Sequence, residues 1–155
     1  MIFNSIKDIE KDIEKKMNKA MHDAQEKVHF IIDNFLNQYY NEFTPSEYIR
    51  THQLLHSLVK SDIRKYGNSV QAEVYFDASA MSYENGFIKI KSTAETGQMG
   101  YATWGAHQVL DTAMHGTHGG YIKGTAIWDR SEAVLDRQAI DILVHSLKTN
   151  GIPIR

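Results

Sequence analysis

The side chains with the most chemical reach in this chain are its eight histidines, and no cysteine stands beside them. Disulfides, thiolate metal sites and thiol nucleophiles are thereby excluded, so a metal site would have to be built from imidazole and carboxylate. Two histidine pairs have ligand-like spacing. His52-Gln-Leu-Leu-His56 sets two imidazoles four residues apart, which on a helix puts them on one face. In zinc peptidases of that pattern the residue after the first histidine is the glutamate that activates water. Here it is Gln53, which cannot act as a base. The second pair, His115 and His118, lies in the run MHGTHGGY over 114–121. His115 and His118 could join His52 and His56, or instead His107 and Asp111. Metal-bound imidazoles need neighbours that hold the other ring nitrogen, and glycines supply none. The segment reads better as a glycine loop with a sharp path, in which His115 and His118 are solvated or contact another chain. No metal or other cofactor is expected; the alternatives are a His-ligated metallohydrolase and an intracellular protein-binding module that docks a peptide or helix on the aromatic cluster near Tyr39–Tyr48.

Other chemistry has no local signature. The chain lacks G-x-S-x-G and lacks a glycine loop closed by Lys-Ser/Thr. Asp77 and Glu84 have no visible third partner. Catalytic residues are not expected. Tyr39, Tyr40, Phe43, Tyr48 and His52 gather where two helices should meet, and such rings form either a core or an interface anchor.

The elements that must position these residues are legible in outline. Ile2, Ile6, Ile9, Ile13, Met17, Ala20, Ala24, Val28, Ile31, Phe35 and Tyr39 recur every three or four residues, with no Gly or Pro among them. That is one face of a helix over 1–40, roughly 55–60 Å long. Such a rod exceeds what a compact domain of this size needs, so part of it should pack on a neighbour. Its polar face mixes signs, with Asp12–Lys16 and Asp23–Lys27 as i,i+4 pairs in the favourable order.

Thr44-Pro45-Ser46-Glu47 combines a cap, a first-turn proline and a capping-box acid, which predicts a second helix over 45–57. Residues 58–92 read as a hairpin turning at Tyr66-Gly67-Asn68, followed by a strand after Asn85-Gly86. Within it Val70, Ala72, Val74 and Phe76 alternate with Gln71, Glu73 and Tyr75. Residues 93–128 read as a loop-rich region with a short helix from Ala102 to Met114. Asp129-Arg130-Ser131-Glu132 caps a last helix over 130–148, with Val134, Ala139, Leu143 and Leu147 inward, stopping at Asn150-Gly151 before Pro153.

The expected fold is α+β: a long N-terminal helix, a small antiparallel sheet with a β-hairpin, and a C-terminal helix packed on the sheet, in a single domain over 1–155. Hydrophobic residues at 42% and charged residues at 23% place the chain in the globular class. A net charge of −2 offers no basic field for nucleic acid or anionic lipid. The charged N-terminus lacks a signal-peptide core, and no run reaches the length of a membrane span. A soluble protein made inside the cell, with no membrane partner, is expected.

The run YYNEFTPSEYIRTHQLLHS over 39–57 carries a resemblance. An aromatic pair, a turn, then Tyr-x-Arg-Thr and a Leu and Ser leading to a hairpin resemble the small minor structural proteins of tailed phages of Gram-positive hosts. These form the tail-completion or head–tail joining group. Tyr39, Tyr40, Tyr48, Arg50, Thr51, Leu55 and Ser57 match, and Phe76-Asp77, His115-Gly116 and the helical N-terminus look similar. The resemblance spans most of the chain, and its sharp part is a packing motif of about twenty residues. It implies a ring-forming homo-oligomer at the tail top or head–tail junction of the virion, built in the host cytoplasm beside other tail or connector proteins. DNA would pass its lumen without specific contacts. It brings no catalytic residue, and it directs attention to Tyr39, Tyr40, Tyr48, Arg50, His115 and His118 as interface candidates.

Overall fold

A computed structural model describes residues 5–42, 52–81, 87–90, 100–103 and 127–154, with side chains excepted at 42, 87–90, 100–103 and 127–128. Its order is α1 (Ile6–Glu42), α2 (Gln53–His56), β1 (Leu58–Lys60), β2 (Arg64–Tyr66), β3 (Ser69–Gln71), β4 (Val74–Phe76), a 3-10 turn (Ala78–Ala80), β5 (Phe87–Ile90), β6 (Gly100–Thr103) and α3 (Ile127–Thr149). The fold is α+β, as the sequence predicts.

Helix α1 is 37 residues long. It starts at Ile6, not at residue 1, because Ser5 caps it: the Ser5 Oγ accepts the Asp8 N–H at 3.2 Å and donates to the Asp8 carboxylate at 2.9 Å. The acid in that first turn also suits the positive end of the helix. The Asp12–Lys16 pair forms at 2.6 Å. Asp23 is engaged elsewhere, accepting from the Asn150 amide at 2.7 Å in place of the expected Lys27 contact.

The buried seam of α1 also differs in detail. It runs through Ala20, Ala24, Ile32, Leu36 and Tyr39, whereas Ile31 and Phe35 are half-buried. A straight helix drifts relative to a regular apolar repeat, so a seam assigned from the N-terminal end slips by one position farther along.

Strands β1 to β4 form two antiparallel pairs in succession, β1 with β4 and β2 with β3, making one interrupted hairpin ribbon. β2 and β3 pair antiparallel in the register Arg64↔Gln71, Lys65↔Val70, Tyr66↔Ser69, closed by the two-residue turn Gly67–Asn68. Gly67 has φ +57°, the positive value that a tight hairpin turn places on its first residue. β1 pairs with β4. The flanking bonds Ser61 N→Glu73 O at 2.9 Å and Asp77 N→Ser57 O at 2.7 Å fix that pairing as antiparallel. Between the two ladders Asp62 and Ile63 stand opposite Ala72 alone, which is a β-bulge on the first strand. The second strand carries no extra residue. Val70, Ala72, Val74 and Phe76 therefore stay half-buried across the break while Gln71, Glu73 and Tyr75 stay exposed, as their alternation predicts.

A separate pair, β5 and β6, is antiparallel from Phe87↔Thr103 to Ile90↔Gly100. β5 is expected. β6 corrects the reading of Gly100 and Tyr101 as loop and of Ala102 and Thr103 as the start of a helix. An alternating strand such as FIKI needs a ladder partner for its backbone groups, and that need outweighs the weak helical pattern. The remainder of the expected helix, 104–114, lies outside the described residues.

The second helix is also shorter than expected. His52 has φ 57° and ψ 10°, a left-handed conformation that no continuous helix can contain, so α2 is the four-residue turn Gln53–His56. Residues 43–51, with the capping run, lie outside the described ones. α3 begins at Ile127, which puts Asp129 in its first turn rather than at its cap. It ends where the sequence indicates. Gly151 at φ +77° lets its N–H reach the Lys148 carbonyl and the Ile152 N–H reach the Leu147 carbonyl, both at 3.0 Å.

The inward face of α3 is not the expected one. Ser131 and Ser146 are buried, Ala139 and Leu143 are exposed, and Val134 and Leu147 are half-buried. The described contacts at the end of α3 are with α1, through Asn150 on Asp23 and Gly151 beside the Lys16 side chain, rather than with the sheet.

The chain separates into two compact units. Residues 1–32, 59–75 and 131–155 form one, whose buried positions include Ala20, Ala24, Gln25, Ile32, Ser131 and Ser146. Residues 33–58 and 76–130 form the other, with Leu36, Tyr39, Leu54, Ser57, Leu58 and Met81 buried.

Candidate interaction surface

Three side chains open α1 on one face: Ile6, Ile9 and Ile13 are 76%, 40% and 46% exposed. The same face is covered farther along, where Met17 is half-buried and Ala20 fully buried. Scattered exposed apolar residues are ordinary, but three isoleucines aligned over two helical turns form a continuous strip.

Farther along α1, polar side chains tie the helix to the ribbon. Lys65 on β2 meets the Glu14 carboxylate at 2.8 Å, and Lys60 on β1 meets Glu26 at 2.6 Å. The Lys60 ammonium holds the Glu26 carboxyl below the ordinary glutamate range, with smaller help from His22 and His29. Between these two ion pairs sits Gln25, only 6% exposed. Its amide nitrogen donates to the carbonyls of Ser61 and Glu73, each at 2.9 Å, at the bulge. Ser61 completes the arrangement, because its Oγ accepts the Glu73 N–H at 2.9 Å. The bulge leaves the Ser61 carbonyl without a ladder partner, and the buried Gln25 amide satisfies it from α1 while adding a second bond to the Glu73 carbonyl, which already accepts the Ser61 N–H. Gln25 thereby fixes the ribbon to the helix. Sequence reading passed over it; the signal was a polar residue beside Ala24 at the edge of an otherwise apolar seam.

The aromatic junction belongs to the other unit. Tyr39 is buried and meets Tyr40 edge-on with ring centroids 5.4 Å apart; Tyr40 stacks on the His52 imidazole at 4.9 Å and 21°. Thus Tyr39 serves as core, while Tyr40 is half-buried under an exposed histidine. The other interface candidates, Tyr48, Arg50, His115 and His118, lie outside the described residues, as do His107 and Asp111.

His52 and His56 do not share a helical face, since His52 precedes α2 in the left-handed region. Among the described residues no three His, Asp or Glu side chains converge as metal ligands. Asp77 is a turn former: its Oδ1 accepts the Ser79 hydroxyl at 2.6 Å and the Ser79 N–H at 2.9 Å, bonds that hold its carboxyl below the ordinary range. Ser57 is buried and donates to the Leu54 carbonyl at 2.7 Å. Among the described residues no helix is long and apolar enough to cross a membrane.

A small α+β chain with a long, partly uncovered helix and a polar-clamped ribbon is thus defined by its surfaces. Compared with known proteins, residues 5–151 match the YomN family model, and the chain belongs to the YomN family. That family is of Bacillus phage type, which makes this a phage-associated protein. No curated protein and no solved structure matches.

Proposed function

We propose that the chain is a structural virion protein without catalytic activity, a ring-forming component that completes the tail or joins it to the head. The observation that carries this reading is the strip Ile6, Ile9 and Ile13, apolar surface that the chain leaves exposed at the start of its longest element. Membership of a phage-type family supports the setting. The resemblance of residues 39–57 to tail-completion and head–tail joining proteins supports the position within the particle. In this reading the partners are further copies of the chain and neighbouring tail or connector proteins, and no membrane or cofactor is involved. DNA crosses the ring's lumen without specific contacts, because lysine and arginine phosphate contacts dominate nonspecific affinity and the net charge is −2. The protein would reside in the virion after assembly in the host cytoplasm.

Co-expression with the tail-tube and connector proteins of the same phage tests this. The expected result is co-purification in a complex with several copies of the chain. A persistent monomer that also binds none of those proteins would remove the reading.

A further inference from the structure

Resting on the ring reading, we infer that the open strip of α1 is covered by the same strip of further copies, side by side and parallel. The apolar positions of α1 repeat as three-four-four: Ile6, Ile9, Ile13; then Met17, Ala20, Ala24; then Val28, Ile31, Phe35. An eleven-residue period of this kind drifts only slowly round a helix. The second and third repeats are buried or half-buried in the folded chain, and the first is exposed. One seam thus changes from intramolecular cover to none at Lys16, which lies against Gly151.

The occupant follows from residue type and charge. Over the first two turns Ile6, Ile9 and Ile13 fill the a, d and a positions of a helix-packing repeat, and Ile2 continues the spacing in the sequence. Ser5 and Asp12 flank the strip on one side, and Glu10 and Met17 on the other. In a parallel, in-register contact Ser5 faces Glu10 of a second copy and Asp12 faces Met17, so no like charges oppose. In an antiparallel contact Glu10 faces Glu10 of the second copy, which is repulsive. Two acids beside the strip are paired within one copy, Asp12 with Lys16 and Glu14 with Lys65. Two turns offer far less than the roughly 800 Å² per partner of a stable pair, so contacts on both sides of each copy are required. A closed ring supplies them.

The natural absence of cysteine makes the test clean. Full-length Ile6→Cys and Ile13→Cys variants, one carrying a tag, are oxidised separately and mixed. The parallel arrangement gives 6–6 and 13–13 disulfides and few 6–13 links. Predominant 6–13 links would overturn the parallel geometry. Absence of all three in a preparation that light scattering shows to be assembled would overturn the strip as the contact while leaving the ring reading intact. A native chain that stays monomeric with and without tail and connector proteins defeats the ring reading itself. As a second variant, Ile9→Asp should raise the concentration needed for assembly at least tenfold with an unchanged circular dichroism spectrum. Unchanged assembly would also overturn the inference.

Discussion

Gln25 sits where a single atom change is most informative. Its amide bridges two carbonyls at the bulge, and no water competes easily at a side chain 6% exposed. Gln25→Ala removes the donors and leaves the Ser61 carbonyl without its partner, a loss of about 1–3 kcal/mol in a denaturant titration. Gln25→Glu should be worse at neutral pH, since it sets a carboxylate against two carbonyl oxygens. Burial and those oxygens favour the protonated form, so the folded-state pKa of that variant rises. Its deficit relative to Gln25→Ala should therefore shrink as pH falls through that raised value. The Lys60–Glu26 pair runs the opposite way. The folded pKa of Glu26 is lowered, so its contribution is complete above the ordinary carboxylate range and is lost as pH falls through the lowered value. Carboxyl titration by NMR should show the Glu26 midpoint moving up in Lys60→Gln. The neutral-pH stability of that variant should change little, because the pair is exposed.

At the scale of elements, the sequence announces whatever local chemistry decides. Gly67-Asn68 and Asn150-Gly151 mark their turn and helix stop because both glycines adopt positive φ, at +57° and +77°. Gly67→Ala has open space around it, so its cost is purely that of the backbone, roughly 1–2 kcal/mol in thermal unfolding. Periodicity likewise exposes α1 and the alternating face of Val70 to Phe76. Structure departs from the local signals where tertiary pairing decides. β6 is a strand because β5 needs a partner, and nothing between Gly100 and Thr103 says so on its own. The left-handed His52 breaks a helix that local capping cues would extend. Hydropathy pointed to Ala139 and Leu143 on α3, but closeness of approach selected Ser131 and Ser146. Ser146→Leu should consequently destabilise by about 1–3 kcal/mol through overpacking, whereas Leu143→Ser, at an exposed position, should change the melting temperature little. Of the candidate interface, Tyr39 and Tyr40 were legible as an aromatic junction. The division of labour between them, one as core and one stacked on His52, depended on a backbone angle that composition does not encode.

At the scale of the whole molecule, the proposed assembly rests on the exposed strip of α1. A chain of the YomN family spends its longest element partly on its own two units and leaves the first isoleucines uncovered. Exposed apolar strips of this kind are costly in a monomer and ordinary at an assembly surface. A phage particle offers such a surface in symmetric, repeated form. The most direct measurement is sedimentation over a concentration series of the native chain and of an Ile6→Ser, Ile9→Ser, Ile13→Ser variant, each alone and with tail and connector proteins. The account predicts multiples of the chain mass for the native protein, and monomer for a variant whose helix content is unchanged. A native protein that remains monomeric in every mixture, or a variant that assembles as the native protein does, would contradict it.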